Sequence, residues 1–139
     1  MTRLFAAALV AGLIFTALPA LADDGANITR TVVVGMDDSM RFSPGRMAVA
    51  RGETLKIVAR NDGQAMHEMV LGTHMEIEEL RKLMRRDPHR AHAAPNMAHV
   101  APGASEPIVW RFDQPGTLVY ACLLPGHYEA GMHGTITVQ

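Results

Sequence analysis

The chain has 139 residues, 13 of them basic and 14 acidic, and a formal charge of −1 at neutral pH with histidines counted neutral. That balance excludes the basic stripe a nucleic-acid binder needs: the arginines between Arg81 and Arg90 are diluted by Glu76, Glu78, Glu79 and Asp87 and read as a solvated helix face. A single cysteine excludes an internal disulfide, and ten methionines supply much thioether sulfur, most of it expected to fill the core.

At the N-terminus Arg3 precedes an apolar run, Leu4 to Leu18, that is too short for a comfortable membrane span. Ala20-Leu21-Ala22 then puts small residues at the two positions a signal peptidase reads. We expect residues 1–22 to be a secretory signal peptide and residues 23–139 to form one domain, exported to the periplasm and with no membrane span in the mature chain. A free thiol in an oxidising compartment is a liability unless something occupies it, which directs attention to Cys122.

From Ile28 onward short β-prone runs are separated by turn residues, the pattern of a sandwich or barrel. Strands are predicted at Ile28 to Val34, around Met40 to Phe42, at Met47 to Val49, at Thr54 to Arg60, and from near Met66. Ser43-Pro44-Gly45, Arg51-Gly52 and Asn61-Asp62-Gly63 are the intervening turns. Thr73 with Glu76 fits a capping box, and Ile77, Leu80 and Met84 recur at helical spacing until Pro88, which predicts a short amphipathic helix. His89 to Gly103 reads as a loop. Three more strands follow at Pro107 to Phe112, Thr117 to Ala121 and Gly134 to Val138, with Asp113 to Gly116 as a hairpin between the first two. Trp110 alternates with Arg111 and is expected in the core.

The chemistry concentrates in Cys122-Leu123-Leu124-Pro125-Gly126-His127-Tyr128-Glu129-Ala130-Gly131-Met132, where Cys, His and Met are each separated by four residues. A loop of that length, turned by Pro125-Gly126 and anchored by strands at both ends, can aim all three side chains at one point. A thiolate, an imidazole and a weak thioether are the set copper uses for electron transfer, and a second imidazole completes it. His67, where a strand resumes after a turn, is the candidate.

These residues resemble the cupredoxins, the small type 1 copper proteins that include plastocyanin, azurin and rusticyanin, over roughly Ile28 to Gln139. The resemblance implies an all-β Greek-key sandwich with one short helical insertion. It also implies a single copper held by His67, Cys122, His127 and Met132. The two four-residue gaps are most similar to rusticyanin's loop. Plastocyanin and azurin usually carry Asn after the upstream His, where its side chain bonds near the copper loop; here the residue is Glu68. His67-Glu68-Met69-Val70-Leu71-Gly72 and Met97-Ala98-His99-Val100-Ala101-Pro102-Gly103 resemble a smaller group, the periplasmic copper-tolerance (CopI-like) cupredoxins, which implies a role in withstanding excess copper.

Other readings compete at each position. Free cysteines are often small buried hydrophobes, and a Cys-His nucleophile would need an orienting carboxylate or amide and an oxyanion site that the sequence does not offer. Zinc accepts Cys and His but rarely Met. In cupredoxins the loop histidine passes electrons to a partner through an apolar surface; here Leu123, Leu124, Pro125 and Tyr128 are candidates for that patch around His127, and at least one leucine is expected in the core. His89, His92, Met97 and His99 are candidates for a second, weak copper site, with solvated loop as the plainer reading of the two former. Met66, Met69, His74, Met75 and His133, next to ligands or to the insertion in sequence, could together line a second or transient copper site, with packing or solvent as the preferred reading of each one alone. The expectation is a non-enzymatic copper-binding protein that binds and redox-cycles copper. The alternatives are a dedicated one-electron carrier and a copper enzyme with an open metal position.

Overall fold

The computed structural model describes residues 27–87 and 93–139; the expected signal peptide, Pro88, His89 and His92 lie outside these described residues. The described residues form nine strands and one helix: β1 (Arg30–Asp37), β2 (Arg41–Ser43), β3 (Arg46–Val49), β4 (Thr54–Asn61), β5 (His67–Gly72), α1 (His74–Arg86), β6 (Met97–Val100), β7 (Ser105–Arg111), β8 (Gly116–Ala121) and β9 (His133–Val138). They make a sandwich of two sheets, ordered β2-β1-β4-β7 and β3-β9-β8-β5-β6. Strands β1 and β4 run parallel, as do β3 and β9, and the other pairings are antiparallel. The all-β sandwich with one helical insertion is therefore as expected. No helix among the described residues is long and apolar enough to cross a membrane.

Side-chain alternation explains where each strand sits. Leu55, Ile57 and Ala59 of β4 face Met69, Leu71 and Tyr120 across the sandwich, and all are fully buried. Strand β5 is buried at every position because both of its faces are covered. His67, Met69 and Leu71 point between the sheets, while Val70 points outward beneath α1, where it packs with Ile77, Met84, Val119, Ala121 and Leu123. The helix forms as the sequence predicts. Thr73 caps it, its side chain accepting the Glu76 N–H while the Glu76 carboxylate accepts the Thr73 N–H, and Ile77 and Met84 supply the apolar stripe.

Three expectations change. The stretch read as loop contains β6, whose buried Ala98 and Val100 alternate with outward Met97 and His99. Four residues among Ala, Pro and His give too short an alternation to stand out. The turn Asp113 to Gly116 is not a hairpin, because β7 pairs with β4 in one sheet and β8 with β5 and β9 in the other. Large apolar side chains point inward on both sides of the turn, Ile108 of β7 and the Phe112 that follows it on one and Tyr120 of β8 on the other, and facing sheets bury both sets where a two-stranded ribbon would not. Trp110 packs against the core but is only half-buried, at the rim of the sandwich.

Gly134 pairs with Tyr120 between β9 and β8, and a Cβ there would meet the Tyr120 ring at 2.3 Å. The ring lies flat across this gap and its hydroxyl donates to the Pro44 carbonyl at 2.6 Å. Gly134→Ala is expected to lower stability by about 1–3 kcal/mol through overpacking, read as a reduced midpoint in chemical denaturation of the metal-free protein.

Candidate metal centre

The turn before β5 is folded by a buried side chain. The Asn61 amide donates to the carbonyls of Ala65 and Val100 at 2.8 and 2.9 Å, and its oxygen accepts the Gly63 N–H at 2.9 Å. This places His67 as the first residue of β5, wholly buried between the sheets.

Cys122 follows directly on β8, and its inward orientation continues that of Tyr120. The loop beyond it is a series of backbone-bonded turns: His127 N–H to Leu124 carbonyl at 3.0 Å, Ala130 to Gly126 at 3.0 Å and Gly131 to Tyr128 at 2.9 Å. Met132 closes it, its N–H donating to His127 at 3.0 Å while its carbonyl accepts the Cys122 N–H at 3.1 Å. Gly131 has φ +100°, and a Cβ there would meet Arg41 Nη1 at 2.9 Å. Arg41 occupies that space and donates to the Ala130 carbonyl at 2.6 Å, bracing the loop from the start of β2.

Two segments far apart in the chain thus meet. The Cys122 sulfur is 3.2 Å from His127 Nδ1, the His67 and His127 rings are 5.1 Å apart by centroid, and one donor atom from each of the three residues lies within 4.8 Å of the others. The Met132 side chain is fully buried in the same core cluster as Cys122. Among the described residues, these three are the cluster of His, Cys, Asp and Glu that could hold a metal.

The donors' chemistry suits a soft cation. Burial pushes the Cys122 thiol up to about 11, opposed by the Glu68 and Leu124 N–H groups and reinforced by the Glu68 charge, so the sulfur ionises near neutrality only if a cation joins it. Burial and then the neighbouring His67 push His127 below the usual histidine value, keeping a lone pair available. His67 Nδ1 is buried and has no hydrogen-bond partner among the described residues. A buried imidazole nitrogen with no hydrogen-bond partner, beside a thiol and a second imidazole, is a donor set that fits copper.

Two carboxylates that the sequence did not single out as partners surround these donors. Glu68 is fully buried. Its N–H points at the Cys122 sulfur at 3.4 Å, its Oε1 accepts the Leu123 N–H at 2.9 Å, and its Oε2 lies 3.2 Å from His99 Nδ1. It therefore bonds to the copper loop from the position where plastocyanin and azurin usually carry Asn. Asp38 Oδ1 lies 3.3 Å from His67 Nε2, and the Gln64 and Ala65 N–H groups hold its carboxyl below the usual aspartate value.

The other candidates separate. Leu123 is core, beneath α1, whereas Leu124 is half-buried and Pro125 exposed beside the half-buried His127. The Tyr128 ring stacks on His133 at 4.9 Å and lies under the Arg81 guanidinium at 3.9 Å. A groove of about 410 Å³ runs between this loop and α1, lined by Leu124, Pro125, Met84 and Arg85 among others. Met97 packs against the cluster beneath the helix, His99 engages Glu68, and Met69 is core. His74, Met66 and Met75 are exposed.

The family model for copper binding proteins of the plastocyanin/azurin family matches residues 29–139. The copper-resistant cuproprotein CopI of Rubrivivax gelatinosus is 47% identical over 116 residues, covering 84% of this chain and 70% of that protein. Its namesake from Pseudomonas aeruginosa is 30% identical over 143 residues, covering 82% and 78%. Among solved structures, auracyanin B superposes with a TM-score of 0.69 at 25% identity, covering 82% of this chain and 91% of that one. A reduced auracyanin from Roseiflexus castenholzii gives 0.68 at 22%, covering 81% and 98%.

Removing the Glu68 carboxylate leaves the buried Leu123 N–H without its acceptor. Glu68→Ala is expected to destabilise the metal-free protein by about 1–3 kcal/mol, and Glu68→Gln, which keeps an acceptor, by less; urea denaturation followed by tryptophan fluorescence measures both.

Proposed function

Because the chain belongs to the plastocyanin/azurin family of copper-binding proteins, and within it is a CopI-like cupredoxin, we propose that its copper is a type 1 centre held by His67, Cys122, His127 and Met132 and used in copper tolerance. The observation that carries the ligand set is the convergence of three buried or half-buried donors from two distant segments, with one imidazole nitrogen left bare. Met132 joins them as the weak thioether ligand, its backbone bonded to both Cys122 and His127.

When bound, copper supplies a one-electron couple. The protein's part is to hold the donors still: the Glu68 N–H fixes the sulfur, Arg41 and the loop's own turns fix His127 and Met132, and the sandwich excludes water from His67 and Cys122. Donors that do not rearrange make electron loss and gain fast. The half-buried edge of His127, rimmed by Leu124 and Pro125, is where electrons would pass to or from a redox partner. In this reading the protein is exported to the periplasm, where it binds and redox-cycles excess copper without acting as an enzyme. The likeness to copper-resistant cuproproteins at up to 47% identity supports that role over the alternative of a dedicated respiratory electron carrier.

The ligand set is tested by loading copper into the wild type and Cys122→Ser. The wild type is expected to show an intense visible sulfur-to-copper band and the variant to lose it; a band that survives removes Cys122 from the site. The role is tested by deleting the gene: copper sensitivity is expected to rise. Unchanged sensitivity with reduced respiratory turnover would favour the carrier.

A further inference from the structure

The sulfur of Cys122 is oriented by the Glu68 N–H, but the far edge of the His67 ring needs a different partner, and it meets a side chain. Nε2 lies 3.3 Å from Asp38 Oδ1 while Nδ1, on the opposite side of the ring, stays bare. Asp38 belongs to the turn between β1 and β2, and the chain leading into β5 wraps around its carboxylate. Gln64 N–H donates to Oδ2 at 2.7 Å and Ala65 N–H to Oδ1 at 3.1 Å. Gly63 makes room for it, since a Cβ there would come within 2.3 Å of Oδ1.

We infer that Asp38 is a positioning residue of the copper site: by accepting the Nε2–H of His67 it fixes that ring's tautomer and orientation with Nδ1 toward the metal, and it places a negative charge one imidazole away from the ion. The inference rests on the assignment of His67 to copper. A histidine ligand whose remote N–H is bonded to a carboxylate is a more basic donor, and the added negative charge favours the more highly charged oxidation state. A neutral acceptor would orient the ring equally well but supply no charge, so the reduction potential distinguishes the two effects.

The experiment compares copper-loaded wild type with Asp38→Asn, Asp62→Asn and His67→Ala. Asp62 sits in the adjoining turn and pairs with Arg60 at 2.9 Å, so its variant removes the same charge nearby without touching His67. Asp38→Asn is expected to bind Cu(II) about 10- to 100-fold more weakly and to shift the reduction potential upward, while Asp62→Asn matches the wild type. In the Cu(I)-loaded wild type, nitrogen-detected NMR is expected to show His67 as the Nε2–H tautomer with a slowly exchanging proton. That measurement decides the matter alone if Asp38→Asn does not fold. Unchanged affinity and potential in Asp38→Asn, equal shifts in both aspartate variants, or an unprotonated Nε2 in the wild type would overturn the inference. Copper binding that survives His67→Ala would instead overturn the ligand assignment beneath it.

Discussion

Glu68 joins β5 to the copper loop twice, by its backbone N–H on the Cys122 sulfur and by its carboxylate on the Leu123 N–H, across 55 residues of sequence. The β5–β8 ladder ends at Val70 opposite Ala121, and two further steps in that register would set Glu68 opposite Leu123. There the strands part, and a side chain replaces the carbonyl that an unbroken ladder would offer. The opening so created is where His67 and Cys122 meet. Met132 is tied to Cys122 and His127 to Met132, so the geometry of all four residues descends from this one spliced end of a sheet.

Electrostatics follow from the same burial. Burial pushes the Cys122 thiol up to about 11 and His127 below the usual histidine value, so both of these donors favour their uncharged forms in the absence of a metal. Taking up a cation expels the thiol proton, so metal affinity and acidity are linked. The carboxylates stand outside this shell: Glu68 is held by a backbone N–H and His99, and Asp38 by two backbone N–H groups. Negative charge is thus near enough to favour a cation while remaining bonded to the frame.

Much of this was legible in the residues. The Cys, His and Met spacing announced a loop that could close on a metal, and the capping box and the Ile77, Leu80, Met84 stripe announced the helix. What the sequence hid depends on partners remote in the chain. Strand β6 is four residues long, and its alternation of Ala98 and Val100 with Met97 and His99 has no strong apolar signal. The sheet switch after Phe112 cannot be told from a hairpin, since both begin with the same turn residues. Glu68 was visible as a departure from Asn, but that a charged side chain would be wholly buried there required His99 and Leu123 to be placed beside it. Asp38 gave no motif at all: its role arises from a turn 25 residues or more downstream folding back over it.

The helix between β5 and β6 has the standing of an insertion in the strand order, yet it shelters Val70, Val119, Ala121 and Leu123 on the outer face of the sheet that carries the centre. Leu123 is the residue next to the cysteine. Excising the segment to obtain a minimal scaffold would therefore uncover an oily surface directly behind the thiol and loosen the peptide that Glu68 grips. In this fold the apparent appendage serves as the back wall of the binding loop, and transplanting the loop to another sandwich would require carrying that wall with it.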